Sequence, residues 1–131
     1  MDMPAEIDER GLRQGRLARL RAELAKRDLA ACILLDSVNI RFATGARNMQ
    51  VFHLRNPARY LFVPAEGPVV LFEFTGCHHL ARGLETIDEI RPATTVSFAA
   101  SGPRVGEKAK VWAAELADLI RTHGGGNRRV A

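Results

Sequence analysis

The chain has 131 residues, 47% of them apolar, which is enough for one domain with a real core. No stretch approaches the roughly 20 apolar residues that a membrane helix needs, and the composition is not that of a disordered, collagenous or coiled-coil protein. A formal charge of +4 with only 6% aromatic residues, and no recognition motif, argues against a nucleic-acid partner.

Two cysteines, Cys32 and Cys77, lack any CxxC spacing and read as reduced thiols. The first six residues are acidic and lack an apolar core, so they are not a secretory signal. A cytoplasmic location is the expectation.

In chain order, Ile7 to Arg27 reads as a helix. Leu17, Leu20 and Leu24 form one stripe, and Arg13, Arg16, Arg19, Arg21, Lys26 and Arg27 make a solvated basic face. Asp28 breaks the pattern. Leu29 to Leu35 is an apolar run of strand length, and a run apolar on both faces suits a strand covered on both sides. Asp36-Ser37 can cap a short helix over Val38–Thr44, closed by Gly45. Ala46 to Pro57 is a long polar connection. Arg59–Val63 and Val69–Phe74 flank the turn Pro64–Pro68 and predict a β-hairpin. Cys77–Leu84 predicts a short helix, and Glu89–Arg91 and Thr94–Phe98 predict short strands around Pro92. Gly102-Pro103 opens a last helix with the stripe Ala109, Trp112, Leu116, Leu119 and Ile120, and Gly124-Gly125-Gly126 stops it. Arg129-Val130-Ala131 reads as the first half of a strand cut short, with more protein expected beyond it. The order predicts an α/β sandwich: a mixed β-sheet with helices on its faces.

The chain offers no self-sufficient catalytic set. His78 and His79 are adjacent, so on a helix they point about 100° apart and do not share an ion. Cys77 beside a histidine has no third group to orient a nucleophile pair. The glycines at 124–126 follow a helix, whereas a phosphate cradle precedes one. Glu85, Asp88 and Glu89 read as a polar turn. The best candidate surface is Arg47 to Arg59, where Arg47, Arg55 and Arg59 with Asn48, His53 and Asn56 could bind a small anionic or zwitterionic ligand. A solvated loop or a subunit contact is the other reading.

Asp36-Ser37-Val38-Asn39-Ile40-Arg41-Phe42-Ala43-Thr44-Gly45, after an apolar strand and before a hairpin, resembles the N-terminal domain of the creatinase/prolidase/aminopeptidase P family of metallopeptidases. Phe42 stands where that family commonly has tyrosine. The stretch Asn39 to Gln50, with Arg55-Asn56-Pro57 and His123 to Ala131, is similar to a branch that includes dimethylsulfoniopropionate lyase and ectoine hydrolase.

The resemblance implies a three-layer sandwich that is the non-catalytic N-terminal domain of a larger enzyme, a homodimer. Residues 1–131 would hold neither catalytic residues nor metal. Divalent ions (Mn, Zn, Fe or Co) would sit in a C-terminal pita-bread domain on Asp, Asp, His, Glu and Glu ligands. The N-terminal domain would reach over the partner subunit's active site and contact a small-molecule or peptide substrate. Phe52 and Arg55 are the positions nearest the family's substrate-contacting aromatic and arginine, with Arg47 and Asn48 as neighbours. The parent reaction would be that of an Xaa-Pro dipeptidase or aminopeptidase, a creatinase-like hydrolase, an ectoine hydrolase or a sulfonium lyase. A stand-alone interaction module without a catalytic partner is the alternative.

Overall fold

Helix α1, Glu9–Lys26, starts where the Asp8 carboxylate accepts the Gly11 N–H at 2.9 Å. The structure, a computed structural model, describes residues 5–47, 58–97 and 101–131. α1 ends in a Schellman motif: Leu29 N–H reaches the Leu24 carbonyl and Asp28 N–H the Ala25 carbonyl. Asp28 takes the left-handed conformation that usually falls to glycine, at φ 53°. Its carboxylate is held from across the chain by Asn127 Nδ2 at 3.2 Å and Arg129 Nη1 at 3.1 Å.

Strands β1 (Ala31–Leu34), β2 (Tyr60–Pro64), β3 (Val70–Glu73) and β4 (Glu89–Pro92) form one sheet in that order. β1/β2 and β2/β3 are antiparallel, whereas β3/β4 is parallel. Val130 bridges to Ala31 in parallel along the other side of β1. The expected C-terminal strand segment thus lies against β1.

The period of two along the strands sorts the core into two halves. Cys32, Leu61, Val63, Val69 and Leu71 face Leu24 of α1 and Ile40 and Ala43 of α2 (Ser37–Thr44). Ala31, Tyr60, Phe62, Val70 and Phe72 face Leu116 and Leu119 of α3 (Val105–His123). Three layers result, and β2 and β3 are buried along their whole length because both faces are covered. Each large side chain so buried contributes roughly 1.5–3 kcal/mol. Burial also pushes the Cys32 thiol up to about 11, so it stays protonated. The Tyr60 ring stacks on Phe72 at 4.6 Å, and its hydroxyl accepts the Thr94 N–H at 2.9 Å.

Two expectations fail locally. Cys77–Leu84 is not a helix of that length: one 3₁₀ turn, His78–Leu80, is followed by separate turns. Gly83, at φ 87°, takes a conformation no helix continues through. Residues 94–97 form no strand, because past Ala93 the Thr94 N–H goes to the Tyr60 hydroxyl instead of a ladder; Phe98 lies outside the described residues. Among the described residues, no helix is long and apolar enough to cross a membrane.

Candidate functional site

The motif around α2 builds a rigid platform. Asp36 Oδ1 accepts the N–H groups of Val38 at 2.8 Å and Asn39 at 3.3 Å, which fixes the helix start. Ile40 and Ala43 are fully buried under the sheet. Thr44 Oγ1 donates to the Ile40 carbonyl at 2.7 Å and accepts the Ala46 N–H at 3.1 Å, carrying hydrogen bonding past the helix end. Gly45 closes the helix at φ 82°, and a Cβ there would stand 2.3 Å from Arg13 Cδ. Glycine is therefore required twice, by conformation and by the arginine stem lying across it.

Arg13 then reaches Glu85, with Nε–Oε1 at 2.8 Å and Nη2–Oε2 at 3.3 Å. The Arg13 guanidinium holds the Glu85 carboxyl below its ordinary range. Next to it, Thr86 Oγ1 donates to the Thr44 carbonyl at 2.5 Å.

The end of the long connection is anchored to its beginning. Arg59 Nε donates to Glu73 Oε2 at 2.8 Å, and Arg59 Nη2 donates to the Arg47 carbonyl at 3.1 Å. Glu73 Oε1 accepts the Phe74 N–H at 2.9 Å. Arg59 and Glu73 are only 5% and 2% exposed, so this is a buried ion pair. Hairpin register brings them together: Tyr60 opposes Phe72, which sets Arg59 opposite Glu73.

Arg59 therefore does not present a free guanidinium fork to a ligand; it is a strut for residue 47. Arg47 itself is exposed, at the rim of a groove of about 430 Å³ shared with Arg13, Arg16 and Arg41. The remaining expected contact residues, Asn48, Phe52 and Arg55, lie outside the described residues, as do His53 and Asn56.

The other constellations have structural roles. Asp88 Oδ2 accepts the Val69 N–H at 2.7 Å, and Glu89 pairs with Arg91 at 2.7 Å. Gly124 caps α3. His79 is exposed, Cys77 is buried, and no three metal-ligating side chains stand together among the described residues. Sequence reasoning missed Glu73, Thr86 and the Arg13–Glu85 pair. Glu73 carried a signal: a carboxylate in an apolar run needs a buried partner.

The model of the Creatinase/Prolidase N-terminal domain matches residues 16–131. The chain is 32% identical over 124 residues to dimethylsulfoniopropionate lyase DddP of Roseovarius nubinhibens, covering 95% of this chain and 28% of that protein. It is 30% identical over 131 residues to the protein of the same name from Roseobacter denitrificans, covering 100% of this chain and 29% of the relative. The chain thus spans less than a third of the length of these curated relatives. In fold it is similar to an Xaa-Pro aminopeptidase from Streptococcus pyogenes, at a TM-score of 0.52 and 15% identity, over 92% of this chain and 90% of the other. The α2 motif, the three layers and the match over residues 16–131 agree, and the chain belongs to the creatinase/prolidase N-terminal domain family.

Proposed function

We propose that these residues form the non-catalytic N-terminal domain of a larger metal-dependent hydrolase or lyase, where they support a homodimer and cap the partner subunit's substrate site. The observation that carries this reading is the double anchoring of the 47–59 connection. Gly45, Thr44 and Thr86 fix where it leaves α2, and the buried Arg59–Glu73 pair holds the Arg47 carbonyl where it returns. Both ends of the connection are thus fixed on a packed core, and loops carried on such a scaffold commonly supply binding residues.

The lyase activity of the relatives favours a small zwitterionic substrate for the parent, and arginine suits its carboxylate. The family resemblance implies that metal ions sit in a further domain of the parent. Bound there, they would supply Lewis acidity or an activated water. The domain's own part is to orient substrate and exclude solvent.

The test uses the protein encoded by the whole gene, purified with divalent metal and assayed on dimethylsulfoniopropionate, ectoine and Xaa-Pro dipeptides. We expect turnover of a small zwitterion and a loss of about 10- to 100-fold in kcat/KM for Arg55→Ala with an unchanged Tm, since a hydrogen bond to a charged group contributes about 1.5–3 kcal/mol. Turnover by residues 1–131 alone, or full kcat/KM in both Arg55→Ala and Phe52→Ala, would sink the reading. A gene with no metal-binding domain beyond residue 131 would favour an interaction module instead.

A further inference from the structure

The groove at the Arg47 rim has a chemistry that substrate capping does not require. It runs along one stripe of α1, past Glu9, Leu12, Arg13 and Arg16, and is closed by Arg41, Arg47 and the Leu80–Leu84 turn. Arg13 is neutralised by Glu85, but no carboxylate pairs with Arg16, Arg41 or Arg47 among the described residues. Among the described residues, three cations with no ion-pair partner therefore line one concave surface with one acid, Glu9.

Large apolar side chains stand exposed on the same surface: Ile7 at 74% and Leu12 at 44% line the groove, with Phe42 at 45% beside it. The Phe42 ring is covered by the Arg16 guanidinium at 5.4 Å and that of Arg19 at 6.0 Å, which orders Arg16 in advance.

We propose that this groove docks an acidic segment of a protein partner, with aspartate or glutamate side chains interspersed with aliphatic ones. The inference shares Arg47 with the capping reading and otherwise rests on different residues. Aliphatic side chains cover Ile7 and Leu12, while carboxylates meet Arg16, Arg41 and Arg47. The Phe42 ring, the aromatic beside the groove, already carries guanidinium groups and offers bases a poor stacking face.

The test is fluorescence anisotropy of a labelled 15-residue peptide probe, a Glu-Leu-Glu-Leu-Ser repeat, titrated with the 131-residue chain. Binding is expected to weaken about tenfold or more in R16E/R41E and between about 50 and 500 mM salt, and to be unchanged in R104E, whose side chain is exposed at the start of α3. Replacing Glu by Gln, or Leu by Ser, in the probe should each weaken it. On the wild-type chain, methyl NMR shifts should move at Ile7, Leu12, Leu80 and Leu84, a readout that needs no variant to fold. Unaltered binding in R16E/R41E, equal binding of the Gln probe, or shifts confined to other methyls would overturn the proposal. Displacement of the probe by equimolar inorganic pyrophosphate would assign the groove to a small anion. A dimer seen by sedimentation and lost in R16E/R41E would assign it to a second copy. Either result overturns the partner-segment reading.

Discussion

Substituting Arg59 by methionine keeps most of its apolar bulk and removes its charge. The Glu73 carboxylate then loses its 2.8 Å partner while only 2% exposed, and keeps just the Phe74 N–H. An uncompensated buried charge of this kind costs about 3–5 kcal/mol, a large part of the roughly 5–15 kcal/mol that holds a domain folded. Glu73→Leu strands Arg59 in the same way and should cost a similar amount. The double variant Arg59→Met/Glu73→Leu removes both charges and leaves an apolar pair, so it should fall within about 1.5 kcal/mol of the wild type. Its residual loss is that of the Arg47 carbonyl's donor, which water can replace at an exposed residue. Urea melts of all four proteins, followed by far-UV circular dichroism, give the double-mutant cycle. The expected coupling is several kcal/mol. Additive losses, or a cost below about 1 kcal/mol for Arg59→Met, would refute the argument that this pair acts as a buried strut.

Gly45→Ala places a Cβ at φ 82° and 2.3 Å from Arg13 Cδ, so it should destabilise by at least about 1–2 kcal/mol from the conformation alone; the steric part is read as the coupling between Gly45→Ala and Arg13→Ala in a double-mutant cycle of Tm, since Arg13→Ala alone also loses the Glu85 pair. Glu85→Gln should lower Tm at pH 7. The Glu85 pKa is depressed in the folded state by Arg13, so its stabilisation is present above the unfolded value of about 4.3 and is lost as pH falls through the folded value. The Tm gap between variant and wild type should therefore close below about pH 4 and persist to alkaline pH, and a gap that is constant with pH would contradict the assigned pair.

What was legible in the sequence follows from which signals are local. Asp36 and Gly45 mark both ends of α2, and each does its work within four residues. The 64–68 turn set the antiparallel pairing of β2 and β3, and the apolar runs set the covered faces. The misreadings come from competition that sequence pattern does not weigh. Gly83 overrode the helical appearance of Cys77–Leu84, and the Tyr60 hydroxyl, 34 residues away, took the Thr94 N–H from the expected second strand. In the candidate site, Arg47 is exposed. Arg59, a possible ligand group by composition alone, pairs with Glu73 14 residues away, a partner that only the hairpin register reveals.

The return of the chain beside β1 has a mechanical consequence. Ala30 N–H to the Arg129 carbonyl at 2.8 Å, Ala131 N–H to the Ala31 carbonyl at 3.1 Å and Ile33 N–H to the Ala131 carbonyl at 2.9 Å join two parallel segments. Tension applied at Ala131 along the strand axis loads these bonds together, in shear, where a perpendicular pull would open them one by one. The Asp28 grip on Asn127 and Arg129 adds resistance at the upstream end. Force on this segment is thus passed directly to β1 and, across Leu35 and Asp36, to the start of α2.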